Sequence, residues 1–160
     1  MSEKMEQDVV EQIGTIVGES NYSTRIADLY TYGFDASIHH VTPEIVVQPR
    51  STEQVSKLMK LANSLKIPVV PRGAGTGLCG GAVPLQGGMV IDLTRMNKIK
   101  EIRVEDLYCV CEAGVVYDHL QKALGPYKFT FPPTPGSAEA CTIGGMVSTN
   151  ASGMRAIKYG

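Results

Sequence analysis

The 160-residue sequence contains no tryptophan, and aromatic residues make up only 6% of it. Large aromatic anchors are therefore few, and the core must come from aliphatic side chains. An excess of one charge is also missing: 15 basic residues face 16 acidic ones, for a formal net charge of −1. That balance leaves no electrostatic footprint for DNA or RNA. No apolar run approaches the roughly 18 residues of a membrane-spanning helix. Four cysteines are too few for a disulfide scaffold, which points to a reducing compartment. The first eight residues, Met1 to Asp8, carry both signs of charge and no apolar core, unlike a secretory signal. A cytoplasmic location is the expectation. With 43% hydrophobic and 19% charged residues, the chain can bury a core and is not globally disordered.

What the sequence has in quantity is glycine. Seven of its 17 glycines fall in Pro71–Gly88 and five in Gly136–Gly160. The other five, Gly14, Gly18, Gly33, Gly114 and Gly125, read as turn and cap residues. Two glycine-rich segments, each almost without charge, are the features that ask for a function.

The intervening patterns give an α+β architecture. Met5, Val9, Ile13 and Ile16 recur at helical spacing and stop at Gly18. Residues 21–40 are mixed and polar, a short helix with loops. Ile45-Val46-Val47 suits a buried strand. Ser51 and Gln54 form a capping box that opens a helix with Val55, Leu58, Met59, Ala62 and Leu65 on one face. Val69-Val70 follows as a strand, so Ile45–Val70 reads as a βαβ unit with two parallel strands. Met89–Leu93 reads as a third strand and Tyr108–Ala113 as another. Val116, Leu120, Ala123 and Leu124 mark a second amphipathic helix ending at Gly125. The expected organisation is a helical extension over 1–40, an α/β subdomain over 41–100, and a second, mainly antiparallel subdomain over 101–160.

The first glycine segment contains a literal G-x-G-x-x-G at Gly75, Gly77 and Gly80, just after a strand. The dinucleotide fold that uses this string needs a helix to begin there. Here the chain runs on into Ala82-Val83-Pro84-Leu85-Gln86-Gly87-Gly88, which is no helix. A Walker A loop is excluded because no Gly-Lys-Ser/Thr follows. What remains is a wide loop of main-chain N–H groups with few β-carbons, suited to an anion. Thr76 adds a hydroxyl and Arg72 the one full charge. An idle surface loop is the bland alternative, and loops beyond about 12 residues are seldom idle.

The second segment, Pro132 to Gly153, is rich in small hydroxyl and amide side chains and has one charge, Glu139. Together with Pro43–Pro49, Val70–Leu78, Gly80-Gly81 and Asp92–Met96, its Pro132–Ser137, Thr142–Gly145 and Asn150–Gly153 stretches resemble one family. The chain is similar to the FAD-binding, PCMH-type domain of the vanillyl-alcohol-oxidase flavoproteins. Within that superfamily it most resembles the branch of the glycolate oxidases and D-lactate dehydrogenases. The resemblance spans about Tyr30 to Gly160.

That resemblance implies a cofactor, FAD. It implies that Pro71, Arg72, Gly73, Ala74, Gly75, Thr76, Gly77, Leu78, Gly80 and Gly81 wrap the pyrophosphate. It implies that Pro135, Gly136, Ser137, Thr142 and Gly145 border the flavin and its phosphates, and that Asn150, Ser152 and Gly153 approach the isoalloxazine or ribityl region. Relatives with covalent flavin often carry histidine where this chain has Thr76, so non-covalent FAD is expected. Cys141 lies near a region where some relatives attach flavin through sulfur, one residue off. The implied parent reaction is oxidation of a small 2-hydroxy acid, with hydride passing from its C2 to flavin N5. Lys158-Tyr159-Gly160 ends in mid-motif, so the chain reads as an N-terminal fragment. Such a fragment is expected to hold no catalytic base, to be inactive alone, to retain FAD weakly or not at all, and to self-associate through exposed sheet edges.

The other chemistry-bearing residues favour bland readings. Cys109 and Cys111 face one way on a strand, but no second pair completes a metal site. His39 and His40 are adjacent in a polar loop. Asp35 and Asp118 lack a paired acid, and Tyr30, Tyr32 and Phe34 read as packing residues. A non-catalytic nucleotide-binding or assembly module that needs a partner chain is the alternative function.

Overall fold

A computed structural model describes residues 5–160; residues 1–4, half of the charged stretch Met1 to Asp8, lie outside the described residues. The chain divides after Arg95 into two compact units.

In the first unit, α1 (Gln7–Val17) buries Val10, Ile13, Gly14 and Val17 and stops at Gly18, where φ is 88°. Each large aliphatic side chain buried in this way contributes about 1.5–3 kcal/mol. The helix packs with α3 (Thr52–Leu65) over Ile45, Val47, Met89 and Ile91 of the sheet. α3 begins where the Ser51 hydroxyl accepts from the Gln54 N–H at 3.3 Å. The reciprocal bond of the expected capping box is displaced by one residue: the Gln54 side chain accepts from the Arg50 N–H at 2.7 Å. Lys66, at φ 57°, ends the helix, with Pro68 two residues on. The buried face is narrower than the periodicity implies. Leu58 and Ala62 are buried, Leu61 packs against the core, and Met59 and Leu65 are exposed.

The sheet runs β1-β2-β4-β3. Here β1 is Tyr22–Ser23, β2 Ile45–Val47, β3 Val69–Arg72 and β4 Met89–Asp92. β2 and β3 are both parallel to β4, and β1 is antiparallel to β2. The two strands of the expected βαβ unit, β2 and β3, are parallel as expected, and β4 lies between them. Every residue of β4 is buried, and a strand buried on both faces belongs in the centre of a parallel sheet. β1 escapes the sequence because two residues carry no alternation. A short helix α2 (Ile26–Thr31) places Leu29 against Val46 and Val90 on the opposite face from α1.

In the second unit, β5 (Ile99–Arg103) and β6 (Tyr108–Cys111) form an antiparallel pair. The sequence reading misses β5 for a specific reason. Ile99 and Ile102 both pack into one cluster, a spacing of three that a regular strand does not allow. A register shift between Ile99 and Glu101 makes it possible. α4 (Tyr117–Leu124) adds Leu120 and Leu124 to that cluster. α5 (Ile143–Thr149) and α6 (Ala156–Tyr159) follow. α5 replaces part of what the sequence presents as a glycine ribbon, since Gly144 and Gly145 are poor helix formers. The helix holds because Thr142 caps it, its hydroxyl accepting from the Gly145 N–H at 3.3 Å. Met146 is then buried with Tyr117 and Cys141. Among the described residues, no helix is long and apolar enough to cross a membrane.

Candidate functional site

In the first unit the segment from Gly73 to Gly88 joins two neighbouring parallel strands at their carboxyl and amino ends. From Gly73 through Gly81 no main-chain N–H donates to an acceptor among the described residues. The carbonyls behave differently. The Gly77 carbonyl accepts from the Ala36 N–H at 3.0 Å, and the Gly80 carbonyl accepts from the Val83 N–H at 3.1 Å. Gly75 and Gly80 sit at φ 70° and 76°, and a β-carbon at Gly75 would lie 2.2 Å from the Arg72 guanidinium. The loop therefore lies close over Arg72 and offers a row of free donors. Pro71, Ala74, Leu78 and Gly81 are exposed, Gly73, Gly75, Thr76 and Gly77 half-buried, and Arg72 and Gly80 buried. The Thr76 hydroxyl has no hydrogen-bond partner among the described residues.

Arg72 is part of the scaffold beneath this loop. Its guanidinium donates to the Phe34 carbonyl at 2.8 Å and the Ala82 carbonyl at 3.5 Å. It also lies 5.4 Å from the centre of the Tyr32 ring. Burial lowers its pKa, while Tyr32, Asp92 and Asp35 favour its charged form. Asp35, also buried, accepts from the Ser37 N–H at 2.8 Å and the Ala82 N–H at 3.4 Å. Burial acts to raise its pKa, but these hydrogen bonds and the Arg72 charge outweigh it and hold the carboxyl below its ordinary value. The positive charge of Arg72 is thus already matched by acids. An anion on the loop is met by N–H dipoles.

Beside it, Asp92 closes β4 and collects three donors. Tyr32 Oη and Gln48 Nε2 each donate to one carboxylate oxygen at 2.7 Å, and the Thr94 N–H donates to the other at 2.9 Å. Burial, then the bond to Asp92, pushes the Tyr32 phenol up to about 12. The neutral phenol is therefore the folded form. Discounted for its partial exposure to solvent, its contribution is about 2 kcal/mol, whole below pH 10 and lost as pH rises through 12. Urea midpoints at pH 9 and pH 11.5 should separate the wild type from Tyr32→Phe, whose midpoint falls less; equal losses would refute the assignment.

In the second unit the predicted residues divide. Thr142 is buried and bonded to Gly145 through the cap just described, and the Gly144 N–H donates to the Ala113 carbonyl at 2.8 Å. The start of α5 is thereby satisfied within the protein. Pro135, Ser137 and Ser152 are half-buried, and Gly136, Asn150 and Gly153 exposed. The Gly136 and Ser137 N–H groups and the Ser152 hydroxyl find no acceptor among the described residues. Thr134 pairs with Gly153, which draws the proline-rich stretch and the turn after α5 together. Cys141 is buried, and burial pushes its thiol up. A cavity of about 540 Å³ in this unit, lined by Ile102, Leu107, Leu124, Phe129 and Phe131 among others, contains no predicted site residue.

Sequence reasoning missed Asp35, Tyr32, Gln48 and Asp92 as parts of the site. The available signal was an acid, Asp92, closing an otherwise apolar strand.

A parallel sheet carrying an open glycine loop, with a separate antiparallel pair, defines an FAD-binding domain of the PCMH type. The sequence model of the FAD binding domain family matches residues 43–160, and the chain belongs to that family. It is 36% identical over 155 residues to the glycolate oxidase subunit GlcD of Bacillus subtilis, covering 96% of this chain and 33% of that protein. It is 43% identical over 134 residues to a D-lactate dehydrogenase of Archaeoglobus fulgidus, covering 81% and 30%. The chain thus spans about a third of the length of these relatives. Among solved structures, an alkyldihydroxyacetonephosphate synthase superposes with a TM-score of 0.89 at 24% identity, over 100% of this chain and 35% of that one. That likeness shows the fold alone. p-Cresol methylhydroxylase superposes with a TM-score of 0.68 at 26% identity, over 76% and 24%.

The family's cofactor is FAD, and the residues present fit it. Free N–H donors in a side-chain-poor loop match a diphosphate, and the small polar groups at 135–153 match a neutral ring system.

Proposed function

We propose that this chain binds FAD non-covalently as the cofactor-holding part of a flavoprotein that oxidises a small 2-hydroxy acid. The observation that carries the reading is the unbroken row of main-chain N–H groups from Gly73 to Gly81 that have no acceptor among the described residues. These donors, with the Thr76 hydroxyl, receive the diphosphate; each bond to a charged group contributes roughly 1.5–3 kcal/mol. Arg72, Asp35 and Asp92 hold the loop's base in place. In the second unit Gly136, Ser137, Asn150, Ser152 and Gly153 supply neutral contacts to the flavin portion. Thr76 offers a hydroxyl where a histidyl–flavin bond needs an imidazole nitrogen, and Cys141 is buried. When bound, the flavin supplies the redox chemistry, accepting hydride from C2 of the hydroxy acid. This chain's residues bind and orient; none is assigned a proton-transfer role, so the chain with added FAD should not turn over D-lactate or glycolate.

The test is titration of the purified chain with FAD, FMN, NAD and ADP. FAD is expected to bind and ADP to compete with it, FMN to bind more weakly, and NAD not to bind. Preference for NAD, or no binding of any of the four, would overturn the reading; the second result would favour an assembly module.

A further inference from the structure

The glycine loop is held by a segment that lies before the family match, which begins at residue 43. Residues 34–39 cross beneath it as a strap. The Phe34 carbonyl accepts from Arg72, the Ala36 N–H donates to the Gly77 carbonyl, and the Asp35 carboxylate accepts from the Ala82 N–H. The His39 ring comes so near Gly80 that a β-carbon there would lie 3.0 Å from it. Asp35 also fixes its own strap: its second oxygen accepts from the Ser37 N–H, and the Ser37 hydroxyl accepts from the His39 N–H at 3.2 Å.

The chemistry of these bonds is one-sided. To the main chain of the loop the strap supplies a donor at Gly77 and an acceptor only at the Ala82 N–H, beyond the open row. Two of the loop's carbonyls, those of Gly77 and Gly80, are occupied, while among the described residues none of its N–H groups from Gly73 to Gly81 has an acceptor. A flexible glycine loop left to itself must be ordered when a ligand binds, and that ordering lowers affinity. A strap that orders it beforehand removes the loss.

We propose that Asp35 is a positioning residue, joining the strap to the glycine loop so that the loop's N–H groups are preorganised for the FAD diphosphate. The proposal rests on the reading that this loop receives the diphosphate, and it assigns no contact between Asp35 and the cofactor. A merely space-filling acid would leave loop order untouched. Asp35 instead links two segments 47 residues apart at Ala82, and its partner Arg72 ties the same two segments from the other end of the loop.

The experiment uses the whole chain with Asp35→Ala and Asp35→Asn. In the ligand-free protein, amide ¹⁵N order parameters of Gly73–Gly81 should be near 0.8 in the wild type and fall below about 0.6 in Asp35→Ala. Those of Ile45–Val47 and Met89–Asp92 should stay unchanged. FAD affinity should fall about tenfold. Asp35→Asn keeps one acceptor oxygen and should recover part of both effects; it also decides the matter if the alanine variant fails to fold. Loosening of the loop without loss of FAD affinity would overturn the proposal, as would loss of affinity with an unchanged loop. If the wild type binds no FAD, the failure belongs to the proposed function, and an unchanged loop in the alanine variant still sinks the role given to Asp35.

Discussion

Replacing Arg72 with methionine is expected to cost about 3 kcal/mol of folding stability. The side chain is buried and its guanidinium bridges the Phe34 and Ala82 carbonyls. Its charge faces Asp35 and Asp92, both of which are themselves buried. Methionine fills most of the volume but leaves two carboxylates without their cation and two carbonyls without a donor. Removing one member of such a group costs more than the group as a whole contributes, because the partners stay desolvated. Urea unfolding should show a lower midpoint with an unchanged slope. Arg72→Lys should fall between, since it keeps the charge and loses the planar fork that reaches two carbonyls at once. A midpoint within experimental scatter of the wild type for the methionine variant would remove Arg72 from the scaffold and make it a free cation for the ligand.

The second large effect concerns Gly153. Its φ is 108°, a conformation that side chains rarely adopt, and a β-carbon there would lie 1.9 Å from the Thr134 carbonyl oxygen. Alanine cannot be accommodated while Thr134 and Gly153 stay paired. Gly153→Ala should therefore break that pairing and free the turn after α5, at about 2–4 kcal/mol within the second unit. Ala151 packs against the cluster of Tyr117, Cys141 and Met146, so the Cys141 thiol, buried in the wild type, should become reactive to a thiol reagent. Cys79, exposed from the start, provides the internal reference. Unchanged Cys141 labelling together with an unchanged thermal midpoint would show that the pairing does not hold this turn.

The two sites differ in how much of them a reader of the sequence can see. The glycine loop is visible because its composition is extreme, and because the strand before it and the absence of a helix after it exclude the commoner phosphate loops. Its charge arrangement is not visible. Arg72 reads as a ligand cation, yet the fold sets it against Asp35 and Asp92, which are 37 residues before it and 20 after it in the chain. The second segment is the reverse case. Its residues are legible by type, but Gly144-Gly145 conceals a helix that exists only because Thr142 caps it and Met146 finds a buried cluster. β5 is hidden for a similar reason: a register shift lets Ile99 and Ile102 share a face that strict alternation would deny them.

By itself the sequence determined the class of the chain and the positions of its main helices and parallel strands. Those follow from local quantities: hydrophobic period, capping residues, and where glycine and proline fall. Tertiary structure alone decided that β4 stands between β2 and β3, that residues 34–39 run under the glycine loop, and that the loop's donors are the groups left open. These depend on pairings between residues far apart in the chain, whose hydrogen bonds and charges are matched only when the chain has closed on itself.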